Sequence, residues 1–100
     1  MAVLCSPCFA EDFKPKIATH LIPDNAEIEI STMRTASDQG RTLNIACGVI
    51  TVRKDAHNYS TRTYAYIVDD DKLWLNGQEA WLKEPQRMGV VQVMKYCPGN

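Results

Sequence analysis

Apolar and polar residues alternate with a period near two along most of this chain, the spacing of strands rather than helices. From Ala26 to Arg34 the alternation begins cleanly, with Ile28 and Ile30 on one face and Glu27 and Glu29 on the other, which suits a strand wet on one side. Arg41 to Arg53 is different. Leu43, Ile45, Cys47, Val49 and Thr51 fall on one face, and Ala46, Gly48, Ile50 and Val52 on the other. Both faces are apolar, which predicts the central strand of a sheet. Tyr59 to Val68 follows as a strand rich in β-formers, with Thr61, Thr63, Ala65 and Ile67 on one side and Arg62, Tyr64, Tyr66 and Val68 on the other.

The connections are marked by turn chemistry. Pro23-Asp24-Asn25 closes a short strand expected over Ile17 to Ile22, and Thr35 to Gly40 has the composition of a loop, with Gly40 at a positive φ. Lys54 to Asn58 turns the chain, and Asp69-Asp70-Asp71 ends the tyrosine strand. Asn76-Gly77 is the pair favoured by a two-residue type I′ hairpin. It would set Leu75 against Gln78, Trp74 against Glu79, Leu73 against Ala80 and Lys72 against Trp81, leaving Trp74 and Trp81 as a diagonal pair on one face. Over 88–97, Val90, Val93, Met94 and Cys97 keep helical spacing, but Val90-Val91-Gln92-Val93 favours a strand, and a strand is expected there. The fold class is therefore mainly β: a small antiparallel sandwich, open barrel or sheet of five to six strands. One short C-terminal helix is allowed, with α+β as the alternative.

Composition narrows the class of object. One hundred residues make one domain, and a chain of this size buries only about 60–65% of its unfolded surface, so a covalent staple would help it. Eleven basic and twelve acidic residues give a net charge of −1 with no basic stripe, which argues against a nucleic-acid partner. No apolar run is long enough to span a membrane as a helix.

The first ten residues carry no charge and run into Glu11-Asp12, like the end of a secretory leader closing at Phe9-Ala10. Residues 1–10 are accordingly expected to be a signal-peptide-like segment and 11–100 a single β-rich domain. Removal of that segment would take Cys5 and Cys8 with it and leave Cys47 and Cys97 as an even pair in an oxidising compartment. A bridge between them would tie the C-terminal element to the central strand and contribute roughly 4 kcal/mol by loop closure. The expected location is the periplasm or the exterior; the alternative is a cytoplasmic chain that keeps its N-terminus, with both thiols buried as small hydrophobes.

Chemistry-bearing patterns are sparse. Cys5-Ser6-Pro7-Cys8 has C-x-x-C spacing but no βαβ unit around it. The cysteines lack a second close pair, and His20 and His57 have no ligand spacing, so neither a metal nor another cofactor is expected. No nucleophile elbow or phosphate loop appears, and Asp69-Asp70-Asp71 lacks the spaced oxygens of a calcium loop. An enzyme is not expected. The strongest cluster is aromatic: Trp74, Trp81, Tyr64, Tyr66 and Arg62 are of the types that dominate binding hot spots, and they are the candidate partner-binding residues. Large aromatics in so small a domain are also the usual material of a core.

From Ile45 to Cys97, about half the chain, the layout resembles the surface-adhesin protein E-like family of small exported bacterial proteins. The likeness lies in Cys47 within a strand, the tyrosine-bearing strand after it, Trp81 ahead of Pro85, and the closing Val93-Met94-Lys95-Tyr96-Cys97. It implies an exported binding module closed by a disulfide, and no binding residue carries over from it. The expectation is a small exported, non-catalytic protein that binds a protein partner, most concretely an inhibitor or immunity-type protein. A surface adhesin is one alternative, and a cytosolic phage-type inhibitor retaining its N-terminus is another.

Overall fold

In the computed structural model, which describes residues 13–84 and 86–99, the period-two stretches form one antiparallel sheet. The strands are β1 (Glu27–Asp38), β2 (Arg41–Arg53), β3 (Tyr59–Ile67) and β4 (Lys72–Leu75), and they lie side by side in chain order. A helical turn over 13–18 (α1) precedes them; a 3-10 turn (Glu79–Trp81) and a short helix, α2 (Gly89–Tyr96), follow. The fold is mainly β, an open sheet with a short C-terminal helix. Cys5, Cys8 and the leader-like segment 1–10 lie outside the described residues.

β2 sits between β1 and β3, and both of its faces are covered. Ala46 and Ile50 join Tyr64, Tyr66, Leu73 and Leu75 in a cluster that Ile17 and Leu21 close from the α1 side. Leu43, Ile45 and Cys47 join Ala65 and Ile67 in a second cluster on the opposite face, closed by Val93, Tyr96 and Cys97. The two lids explain why the alternation in β2 and β3 is apolar against apolar rather than apolar against polar.

Five expectations are corrected. Among the described residues the sheet has four strands rather than five or six. The segment expected as a strand over Ile17 to Ile22 begins instead as helix, because Phe13, Ile17 and Leu21 recur at four-residue intervals and pack into one cluster. The helix tightens as it ends, with His20 N–H donating to the Ile17 carbonyl and Leu21 N–H to that of Ala18. Leu21 then forms an isolated antiparallel bridge with Leu82. The loop expected over 35–40 shrinks to Gln39-Gly40, both at positive φ (51° and 81°), as a tight hairpin demands.

The Asn76-Gly77 hairpin does not form, and within 88–97 the chain is helical over Gly89–Tyr96. These two corrections share a cause. The outward carbonyl of Leu73 and N–H of Leu75, which a fifth strand would need, are taken by the buried side-chain amide of Gln86. Asn76 remains tied to β3 through Thr63, and the chain leaves β4 through Gly77 and a left-handed Gln78. α2 then packs so near β4 that a Cβ on Gly89 would overlap the Leu75 carbonyl. The β preference of Val90-Val91-Gln92-Val93 gives way to a helical burial pattern, Gly89, Val93 and Tyr96, and to the Cys97 bond.

A bulge sets the geometry of β1. Ile30 pairs with Gly48 and Thr32 with Cys47, so Ser31 is an extra residue. At the same place Tyr64, paired with Gly48 in β3, donates its hydroxyl over the glycine to the Glu29 carbonyl at 3.0 Å. A Cβ on Gly48 would run into that carbonyl and lie 2.9 Å from the Tyr64 hydroxyl. Gly48→Ala is therefore expected to cost at least about 2 kcal/mol in a urea unfolding measurement, because the strand itself must shift.

Candidate functional site

The five residues expected to bind a partner do not form one surface. Tyr64 and Tyr66 are fully buried, and burial raises both phenols well above their ordinary pKa. Trp81 is half-buried against the α1-side cluster. Trp74 is half-buried against the opposite cluster, with Lys72 Nζ 4.9 Å above its ring. Arg62, half-buried, donates to the carbonyl of Thr61. The Trp74–Trp81 diagonal pair depended on the hairpin register that Gln86 and α2 displace. Cys47 and Cys97 form the disulfide, with Cα atoms 5.8 Å apart, and it fixes the end of α2 to β2.

The side of α2 facing away from the sheet carries the residues that the sequence pattern did not single out. Met88, Val90, Val91 and Met94 are 61%, 45%, 51% and 66% exposed. On a helix of 3.6 residues per turn, Val90, Val91 and Met94 fall on one stripe opposite Gly89, Val93 and Tyr96. Met88 stands at the start of the helix with φ 62°, a conformation disfavoured for a side chain of this size. Exposed Arg87 and Lys95 border the ridge. Lys95 lies 3.6 Å from Asp38 and 5.0 Å above the ring of Tyr96, whose hydroxyl also donates to Asp38, so the outer end of α2 is moored to β1. The visible sequence signal was the helical spacing of Val90 and Met94; strand-forming valines masked it.

The acidic turn after β3 is a set of three separate clamps. Asp69 accepts from the Asn44 backbone N–H. Asp70 holds Arg41 through both guanidinium nitrogens, at 3.2 and 2.9 Å. Asp71 accepts from the Tyr66 hydroxyl at 2.6 Å and meets His20 Nε2 at 2.9 Å, joining the α1 lid to the turn. Among the described residues no group of three His, Cys, Asp or Glu is placed to hold a metal.

Beside His20 and Asp71 lies a cavity of about 160 Å³, also lined by Lys72, Glu84 and Gln86. It is smaller than the usual ligand pocket of about 300–1,000 Å³, and its lining includes no Ser, Thr or Cys nucleophile. The Tyr66–Asp71–His20 chain runs from the core to this surface and fastens lid to sheet. His57 sits in the exposed turn between β2 and β3, where the Asp55 carboxylate accepts from the backbone N–H groups of His57 and Asn58. The side-chain amide of Asn58, followed by those two N–H groups, holds the Asp55 carboxyl below the ordinary range.

The Tyr66 hydroxyl, and after it His20, lowers the pKa of the Asp71 carboxyl. A carboxyl whose pKa falls on folding contributes stability that is present above its unfolded pKa, about 4, and lost as pH falls through the folded value. Asp71→Asn keeps a side chain that tolerates the φ of 49° at this position. It is expected to be less stable than the parent above about pH 4, with the gap closing in more acidic solution, as followed by thermal melts across a pH series.

No family model matches this chain, and neither a curated protein nor a solved structure matches it. The likeness to the surface-adhesin protein E-like family over Ile45 to Cys97 rests on the layout of those residues alone.

Proposed function

We propose that this chain is a small exported binding protein, without catalytic chemistry, that neutralises a protein partner by docking through the outward ridge of α2. One observation carries the proposal: four large apolar side chains, Met88 at its cap and Val90, Val91 and Met94 along it, stand in solvent on one short helix whose other face is locked to the sheet. Leaving such a patch open costs solubility, and contiguous exposed apolar surface marks interaction sites. Two of the four are methionines, flexible enough to fit an irregular groove. The exposed cation Arg87 beside them favours a partner groove with an apolar floor and an acidic group at its rim.

The disulfide supports both parts of the proposal. A helix of eight residues is marginal in isolation, and the Cys47–Cys97 bond holds this one in place before a partner arrives, which lowers the ordering cost of binding. Such bonds persist in oxidising compartments, in keeping with export.

Photo-crosslinking from position 94 in the native host identifies the protein that covers the ridge. Titration of that purified protein is then expected to show that Val91→Asp with Met94→Asp lowers affinity by about a hundredfold or more while the melting curve of the domain is retained. Unchanged affinity would overturn the docking site. Export is checked separately by mass: oxidised Cys47 and Cys97 in native material support it, and free thiols overturn it.

A further inference from the structure

The two edges of the sheet differ. At the β4 edge, Gln86 and α2 occupy the outward backbone groups. At the β1 edge no described segment pairs with the outer side of a twelve-residue strand, and residues 31–35 are all exposed. An unpaired edge of this length is a template for another strand.

We propose that the occupant is a second copy of this chain, with two β1 strands pairing antiparallel about a two-fold axis between Ser31 and Thr32 to make a continuous eight-stranded sheet. In that register Ile30 lies opposite Met33 of the other copy, and Glu29 lies opposite Arg34, each pair occurring twice by symmetry.

The bulge is what makes the strand self-complementary. Directly paired antiparallel residues must point to the same face. In a regular strand, positions 29 and 34 point to opposite faces, as do 30 and 33, and this register would be forbidden. Here Ser31 is an extra residue, so the alternation inverts across it. Ile30, opposite Gly48, and Met33, opposite Ala46, both lie on the α1 side; Glu29, opposite Val49, and Arg34, opposite Ile45, both lie on the α2 side. One shift of register thus aligns an apolar pair on one face and an opposite-charge pair on the other.

The side chains concerned are available. Met33 is 37% exposed. Neither the Glu29 carboxylate nor the Arg34 guanidinium has an ion-pair partner among the described residues, although Arg53, Arg41 and Lys95 on the same sheet and helix are each paired. α2 packs chiefly on β3 and β4 and meets β1 at Asp38, outside the paired stretch 29–34, so the pairing does not use the docking ridge.

Sedimentation equilibrium of the full chain over a concentration series tests the proposal. The parent is expected to show the mass of two chains, and Arg34→Glu and Glu29→Arg, each placing like charges opposite one another twice, should each weaken the dimer about tenfold or more. The variant carrying both exchanges restores the opposite-charge pair in reverse and should recover the dimer, with circular dichroism melts confirming that all three variants fold. A monomeric parent at every concentration overturns the proposal, whether β1 is left bare or covered by another part of the chain. A dimer indifferent to both single exchanges, or one not rescued by the double exchange, overturns it as well.

Discussion

A central strand that is apolar on both faces governs this fold. β2 presents Ala46 and Ile50 to one side and Leu43, Ile45 and Cys47 to the other, and four strands in a single layer cannot hide both. Each face needs a lid, and segments on either side of the sheet in the chain supply them. The N-terminal flank provides a helical turn carrying Ile17 and, just after it, the bridged Leu21, which together close one cluster. The C-terminal flank provides an eight-residue helix, too short to form reliably by itself, and fastens it to the strand it covers through a disulfide. The other fastenings serve the same end. His20 and Tyr66 meet on Asp71 at one lid, and Lys95 and Tyr96 meet on Asp38 at the other.

The strands were legible because period two is a short-range signal. β2 and β3, the residues on each of their faces, and the pairing of Cys47 with Cys97 all followed from alternation and cysteine arithmetic. The lids were harder to see. Phe13, Ile17 and Leu21 carry a helical period, but across so short a segment it competes with a plausible apolar strand. The segment after β4 misled for another reason. Asn76-Gly77 is good hairpin chemistry locally, yet the edge it would have paired with is claimed by Gln86, ten residues further along, and no local rule registers that competition.

The site was less legible than the fold. Alternation tells which residues share a face of a strand, and not whether that face is covered. Tyr64 and Tyr66 share a face as expected, and that face lies under α1. Trp74 and Trp81 were assigned to one face through a register that does not form. The exposed ridge of α2 escaped notice because its valines advertise a strand. Once the segment is helical, half of the same residues turn outward. The acidic run Asp69-Asp70-Asp71 shows the reverse situation: bland as a motif, it anchors three different parts of the domain through three adjacent carboxylates.

The amide of Gln86 has a consequence beyond stopping a hairpin. Open-ended ribbons and fibrils grow because every added sheet brings two bare edges, one to attach and one to offer the next arrival. A domain whose β4 edge is plugged by its own glutamine can attach and then has nothing to offer. It can join a sheet once and never propagate one, a safeguard against aggregation supplied by one side chain and the helix packed beside it.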